Sequence, residues 1–129
     1  MRRRGDFMLH YHVWFNLKPG IGEARGLQIV AGYLSQLSAA AESAGFRLLK
    51  NAGSAPKSKL PKYHALVEFT GFDQLGAAMK KQTERGIHGG RHGEIVEVVC
   101  DFHVEIFTSA EMPAGAPASR EIGAYACEV

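Results

Sequence analysis

Met8-Leu9-His10-Tyr11-His12-Val13-Trp14-Phe15-Asn16-Leu17 alternates in character along its whole length. On a strand, successive side chains point to opposite faces, so Leu9, Tyr11, Val13 and Phe15 share one side and His10, His12, Trp14 and Asn16 the other. The first side reads as core. The second mixes imidazoles, an indole and an amide, which suits the wall of a partly polar cavity. Lys18-Pro19-Gly20 then closes the strand in a turn.

Outward from this strand, the spacing of Leu27, Val30, Leu34, Leu37, Ala41 and Ala44 predicts a helix over about 22–44. Gly45 stands where a left-handed cap is wanted. A second strand follows at 46–51, a loop rich in lysine and proline at 52–62, and a third alternating strand at 63–70. A second helix, about 72–85, carries Leu75, Ala78, Met79 and Gln82 on one stripe and stops at Gly86. Residues 94–100 read both ways: Ile95, Val96, Val98 and Val99 favour strand, while Glu94 and Glu97 sit at helical spacing. The last strand is 101–107. The order βαββαβ is the split-βαβ, ferredoxin-like α+β arrangement. It is an antiparallel sheet with the first strand between the third and fourth and the helices on one face. The expected domain is 8–108, preceded by a disordered extension 1–7 (with Met8 a candidate natural start) and followed by a flexible tail 109–129.

The chain has 129 residues, 46% hydrophobic and 22% charged, which suits one globular domain with a single core. A net charge of +2 is too small to argue for nucleic acid, and the cations neither line one helix nor interleave with exposed aromatics. No stretch approaches the roughly 20 apolar residues of a membrane span, so no membrane partner is expected. Arg2-Arg3-Arg4 suggests an export signal, but two histidines interrupt the segment behind it and no small-residue cleavage site follows. Cys100 and Cys127 make no disulfide framework, and a reducing, cytoplasmic setting fits them.

Alternation assigns Ala65, Val67 and Phe69, and Phe102, Val104 and Ile106, to the helix side. The opposite face then collects His64, Leu66 and Glu68, and Asp101, His103, Glu105 and Phe107, beside the histidine side of the first strand. Four of the six histidines fall on this face. Trp14, Leu66, Phe107 and either Leu48 or Leu49 make it too apolar to be left in water. With no further element long enough to cover it, the expected cover is a second copy. The reading is a homodimer with sheets face to face, enclosing the histidines and carboxylates.

The βαββαβ order, the run His10-Tyr11-His12-Val13-Trp14-Phe15 and the segment Gly86-Ile87-His88-Gly89-Gly90-Arg91-His92 together resemble the dimeric α+β barrel superfamily over about residues 8–108. The nearest likeness is to small bacterial proteins of unknown function, with a looser one to the stress-responsive α/β-barrel proteins. The resemblance implies a barrel formed by two sheets, with a ligand or active site in each subunit's cavity. Its members include cofactor-independent monooxygenases, lactone isomerases, haem-handling enzymes and proteins without known chemistry.

Three chemistries compete for the histidine face. In the first, a histidine shielded from water and held by a carboxylate takes a proton from an acidic carbon, as in an isomerase or a cofactor-free oxygenase. The candidate catalytic residues are His12, His10, His64, Glu68 and His103. Trp14, Asn16, Arg47, Leu66, Glu105 and Phe107 are the candidate ligand-binding residues for a small organic molecule, with no cofactor. In the second, the network is polar glue for a non-catalytic stress or structural dimer. In the third, His10, His12, His64 and His103 ligate a divalent metal. Haem-degrading relatives use an asparagine, a tryptophan and a histidine, but here Trp14 and Asn16 share one strand and nothing else of that pattern matches. His88 and His92 are four apart, yet Gly89-Gly90 between them argues against a helical metal pair and for either a loop at the cavity entrance or a helix start for 94–99. Lys50, Lys57, Lys59 and Lys62 would attract an anion to the barrel mouth, although a solvated loop stiffened by Pro56 and Pro61 is the better account of them. Cys100 reads as a small buried hydrophobe.

Overall fold

The computed structural model describes residues 8–86 and 89–110. The expected extension 1–7 lies outside these residues, as does the expected tail beyond 110. The elements are β1 (Leu9–Leu17), α1 (Glu23–Ala39), β2 (Gly45–Lys50), β3 (Tyr63–Phe69), α2 (Phe72–Arg85), α3 (Gly90–Val98) and β4 (Val99–Thr108). The strands form one antiparallel sheet in the order β2-β3-β1-β4, so β1 lies between β3 and β4. This is the ferredoxin-like α+β fold, with a third helix inserted before the last strand.

The pleat sorts residues as the alternation predicts. Leu9 and Phe15 of β1, and Tyr63, Ala65, Val67 and Phe69 of β3, are buried against Val30, Leu34 and Leu37 of α1, Leu75 of α2 and Ile95 and Val98 of α3. The tight seating of α1 uses Gly26: any Cβ there would fall within 2.6–2.7 Å of the Leu17 side chain. The start of α1 is tied to the sheet by Glu23, which accepts a 2.7 Å hydrogen bond from the Tyr63 hydroxyl and pairs with Lys50 at 2.9 Å. The Tyr63 bond, then Lys50, hold the Glu23 carboxyl below its usual range.

Three expectations about the elements change. The first helix ends at Ala39, five residues before the limit set by its apolar spacing, because the chain closes in a Schellman motif. The amide of Glu42 donates to the Leu37 carbonyl at 2.8 Å and that of Ala41 to Ser38 at 3.1 Å. The left-handed residue of that motif is Ala41, at φ 58°, rather than a glycine. Gly45 instead opens β2. An L-residue in this region costs about 1–2 kcal/mol, partly offset by the lower unfolded-state entropy of alanine relative to glycine. Ala41→Gly is therefore expected to stabilise the fold by about 0.5–1 kcal/mol, read as a higher urea midpoint at unchanged slope.

Residues 94–98 are helical and the strand begins at Val99, because Ile95 and Val98 share the buried side of α3. The strand also carries a bulge. Its register against β1 shifts between Trp14, opposite His103, and Asn16, opposite Cys100, with Asp101 at φ 56°. Finally, Phe102, Val104 and Ile106 are on the predicted side of the sheet but remain 52%, 41% and 44% exposed. The helices lie over β1, β2 and β3 and leave the outer half of β4 bare.

Candidate functional site

The paired registers settle the composition of the face away from the helices. His10 lies opposite Glu68 and Phe107, His12 opposite Leu66 and Glu105, and Trp14 opposite His64 and His103. Arg47 of β2 lies opposite Leu66, and Leu49 opposite His64, so both side chains share this face. All eleven residues proposed from the sequence as catalytic or ligand-binding therefore belong to one side of the sheet, including Arg47, whose facing the sequence left open. Asp101 joins them through its side chain, which accepts a 3.0 Å hydrogen bond from Asn16 Nδ2.

Within that face the groups form local pairs. At its centre His12 Nδ1 and His64 Nε2 are 2.8 Å apart, with ring planes 21° from parallel. Trp14 lies alongside both, its ring centroid 4.7 Å from His64 and 5.5 Å from His12 with planes within 14°, and Phe107 meets His12 edge-on at 4.8 Å. Burial in this aromatic cluster pushes the His12 and His64 pKa values down, His10 adding to the effect on His12 and His12 to that on His64. His10 turns instead to Glu68 at 3.2 Å, and His103 to Glu105 on its own strand at 2.8 Å. Asn16 is used at both ends, its Oδ1 accepting from the Lys62 amide at 2.8 Å.

Of the four histidines considered as metal ligands, only His12 and His64 meet. Among the described residues no group of three or more His, Cys, Asp or Glu converges on a common point. Cys100 is half-exposed rather than buried, with its thiol 3.6 Å from an Asp101 oxygen. Desolvation, then the Asp101 charge, push its pKa up, so it stays a protonated thiol. Beside Trp14 a wide hollow of about 430 Å³ lies between this face and the loop residues Leu60 and Pro61. Lys50 and Lys62 on its rim are turned to Glu23, at 2.9 and 4.0 Å.

A narrower cavity of about 160 Å³ lies on the other side of the sheet, under the helices. Phe15, Ala65 and Val67 form its floor, α1 and α2 its walls, and Met79 and Phe102 its exposed rim. Four polar side chains reach this lining: Tyr11 from β1, Tyr33 from α1, Gln82 from α2 and His92 from α3. Tyr33 and His92 are in edge contact, ring centroids 5.5 Å apart. Burial pushes the phenol pKa values of Tyr11 and Tyr33 up, so both remain hydroxyl donors. The Gln82 amide nitrogen donates to the Gly86 carbonyl at 2.8 Å.

None of these four polar residues entered the sequence-based site. Gly89-Gly90 leave the sequence around His92 open between a loop and a helix start. In the structure Gly89 is extended and Gly90, at φ 60°, opens α3. Only Tyr33 carried a usable signal, a polar-tipped ring on the otherwise aliphatic stripe of Val30, Leu34 and Leu37.

The sequence matches the model of a family of unknown function, DUF6614, over residues 8–120. The chain belongs to that family. No curated protein is detectably similar to this DUF6614 member in sequence. Several solved structures share its fold. A variant of SnoaB, a cofactor-independent oxygenase from Streptomyces nogalater, aligns with TM-score 0.62 at 11% identity, covering 83% of this chain and 97% of the other. The hydroxynitrile lyase of Passiflora edulis aligns at 0.60 and 12%, again covering 83% and 97%. A dimeric ferredoxin-like protein of unknown function from Thermobifida fusca aligns at 0.53 and 15%, covering 79% and 91%. At such identities the likeness establishes the ferredoxin-like α+β fold and leaves the chemistry to the residues. No helix of the described residues is long and apolar enough to cross a membrane.

Proposed function

We propose that this protein binds a small, largely apolar organic molecule of about one aromatic ring in the cavity between helices and sheet. His92 and Tyr33 serve there as its acid–base pair, and two copies associate through the histidine face. The ligand reading rests on one observation: a cavity of about 160 Å³, apolar in its floor and walls, whose lining includes four polar residues from four elements. Apolar enclosure with a few placed polar groups is the usual make-up of a small-molecule site. A cavity of about 150 Å³ lined by aliphatic and aromatic side chains accommodates a benzene ring.

The chemistry follows from the groups present. An imidazole beside a phenol, in surroundings poor in water, suits proton removal from an acidic carbon with a hydrogen bond to the oxygen that gains charge. Both an oxygenase and a lyase occur among the proteins of similar fold, and proton transfer of this kind is compatible with either class. For the histidine face, the reading as structural glue is favoured over a metal centre or a catalytic centre. Its His10–Glu68, His103–Glu105 and Asn16–Asp101 pairs are already satisfied within the subunit.

Phenol and toluene, equal in size and differing in one hydroxyl, test the site by calorimetric titration. Phenol is expected to bind several-fold more tightly, since one hydrogen bond contributes about 0.5–1.5 kcal/mol. The Tyr33→Phe, His92→Leu double variant is expected to bind the two alike. Saturable binding of neither molecule to the unaltered protein would overturn the assignment.

A further inference from the structure

We propose that the His12–His64 pair makes the histidine face a pH-gated interface for a second copy of this chain, closed at neutral pH and opened by acid. The inference rests on the self-association reading above and adds its control. The face is suited to its own copy. Its centre is aromatic and aliphatic, with Trp14 and Leu66, and its two edges differ in charge. Arg47 stands on the β2 edge, while Asp101 and Glu105 stand toward the β4 edge. A two-fold axis along the strands lays β2 of one copy over β4 of the other, and so twice brings Arg47 level with Glu105, which shares its row with Leu66 and His12.

The gate is the 2.8 Å contact between His12 Nδ1 and His64 Nε2. A hydrogen bond between two imidazole nitrogens needs one N–H and one bare lone pair. The pair therefore holds one extra proton at most; with two, N–H faces N–H and the contact is repulsive. The charged groups around it come from every strand. His10 and Glu68 lie at one end, His103, Glu105 and Asp101 along β4, Arg47 on β2, and Lys59 and Lys62 on the loop beside Trp14. His10 and His103 each face a carboxylate, at 3.2 and 2.8 Å. His12 and His64 face rings instead.

The sign follows from burial. Both rings are held below the ordinary histidine value already in one subunit, by desolvation first, and covering the face with a second copy lowers them further. A group whose pKa is depressed on association leaves association at full strength above its value in the free subunit, which here already lies below the ordinary histidine value. Strength is then lost as the pH falls toward the depressed value. Each dimer contains two such pairs. If each refuses one proton, the dissociation constant rises by up to about a hundredfold per pH unit in that window.

Analytical ultracentrifugation of the full chain at pH 7.5 and pH 5.5, with emission from Trp14, the single tryptophan, tests this. A dimer at pH 7.5 whose dissociation constant is at least tenfold weaker at pH 5.5 is expected. Trp14 should be quenched by the neighbouring imidazolium over the same range. The His12→Asn, His64→Gln pair of amides replaces Nδ1 and Nε2 without titrating, and is expected to dimerise equally at both pH values. Should that variant fail to dimerise at all, the Trp14 titration of the unaltered chain decides: a midpoint below 6.5 that tracks dissociation supports the gate, and a flat profile refutes it. The His10→Gln, His103→Gln variant is expected to keep the acid response; its loss there would assign the titration elsewhere and sink the proposal. A dimer with one dissociation constant at both pH values overturns the gate and leaves the interface standing. A monomer at both overturns the interface itself.

Discussion

Phe15→Ala is expected to destabilise the protein by about 3–5 kcal/mol, the range for removing a fully packed aromatic ring. Among the described residues Phe15 is the largest completely buried side chain, 2% exposed, on the helix side of the inner strand β1 and stacked on Tyr63 with ring centroids 5.6 Å apart. It also forms part of the cavity floor. Removing the ring therefore enlarges an existing void rather than opening an isolated one. Neighbours already bordering empty space have little to collapse onto, which places the effect in the upper part of that range. Against a total stability of about 5–15 kcal/mol for a domain, such a loss leaves a substantial unfolded fraction. Urea unfolding followed by circular dichroism measures it, with the slope unchanged if only stability has moved. Phe15→Leu, which keeps most of the volume, is expected to cost less than about 1.5 kcal/mol. A cost below about 1 kcal/mol for Phe15→Ala would mean that the ring is not packed as described.

The parity of the strands was legible because a period of two leaves few alternatives. Once Leu9, Tyr11, Val13 and Phe15 are turned inward, His10, His12 and Trp14 have nowhere to go but the other face. The same logic carried over to β3 and, across its register shift, to β4. The details of contact were not legible. That His12 selects His64, while His10 selects Glu68, depends on the diagonal offset between strands and on side-chain rotamers. Residue types alone allowed any of the four histidines to share a ligand.

Two features failed for opposite reasons. The end of α1 is hidden because Ala39-Ala40-Ala41 are strong helix formers, and the stop comes from a left-handed alanine held by Schellman bonds rather than from a glycine. The bulge at Asp101 has no sequence signal beyond the tolerance of aspartate for that conformation. The cavity is harder still, since a void is a property of how three helices settle on a sheet. Tyr11, Tyr33, Gln82 and His92 are scattered over 82 positions of the chain and share no spacing that periodicity can detect.

Ala65→Leu is expected to abolish phenol binding, with an affinity loss above about a hundredfold, while leaving the fold nearly as stable as before. Ala65 is 3% exposed at the centre of β3, between Val13 and Leu48, and its methyl group faces the cavity. A leucine there extends three further carbons perpendicular to the sheet, directly into the space assigned to the ligand. In a filled core the same change would overpack and cost about 1–3 kcal/mol. Here the void receives the added atoms, new contacts offset the strain, and a net change smaller than about 1.5 kcal/mol is expected. The two readouts together are diagnostic. A variant that unfolds would show that the space is not there to be filled, and one that still binds phenol normally would move the ligand away from the helix side. Self-association supplies the control: Ala65 points away from His12 and His64, so its replacement should leave the dissociation constant of the dimer unchanged. An effect on assembly as large as the effect on phenol would mean that the two faces of the sheet are not the independent sites described above.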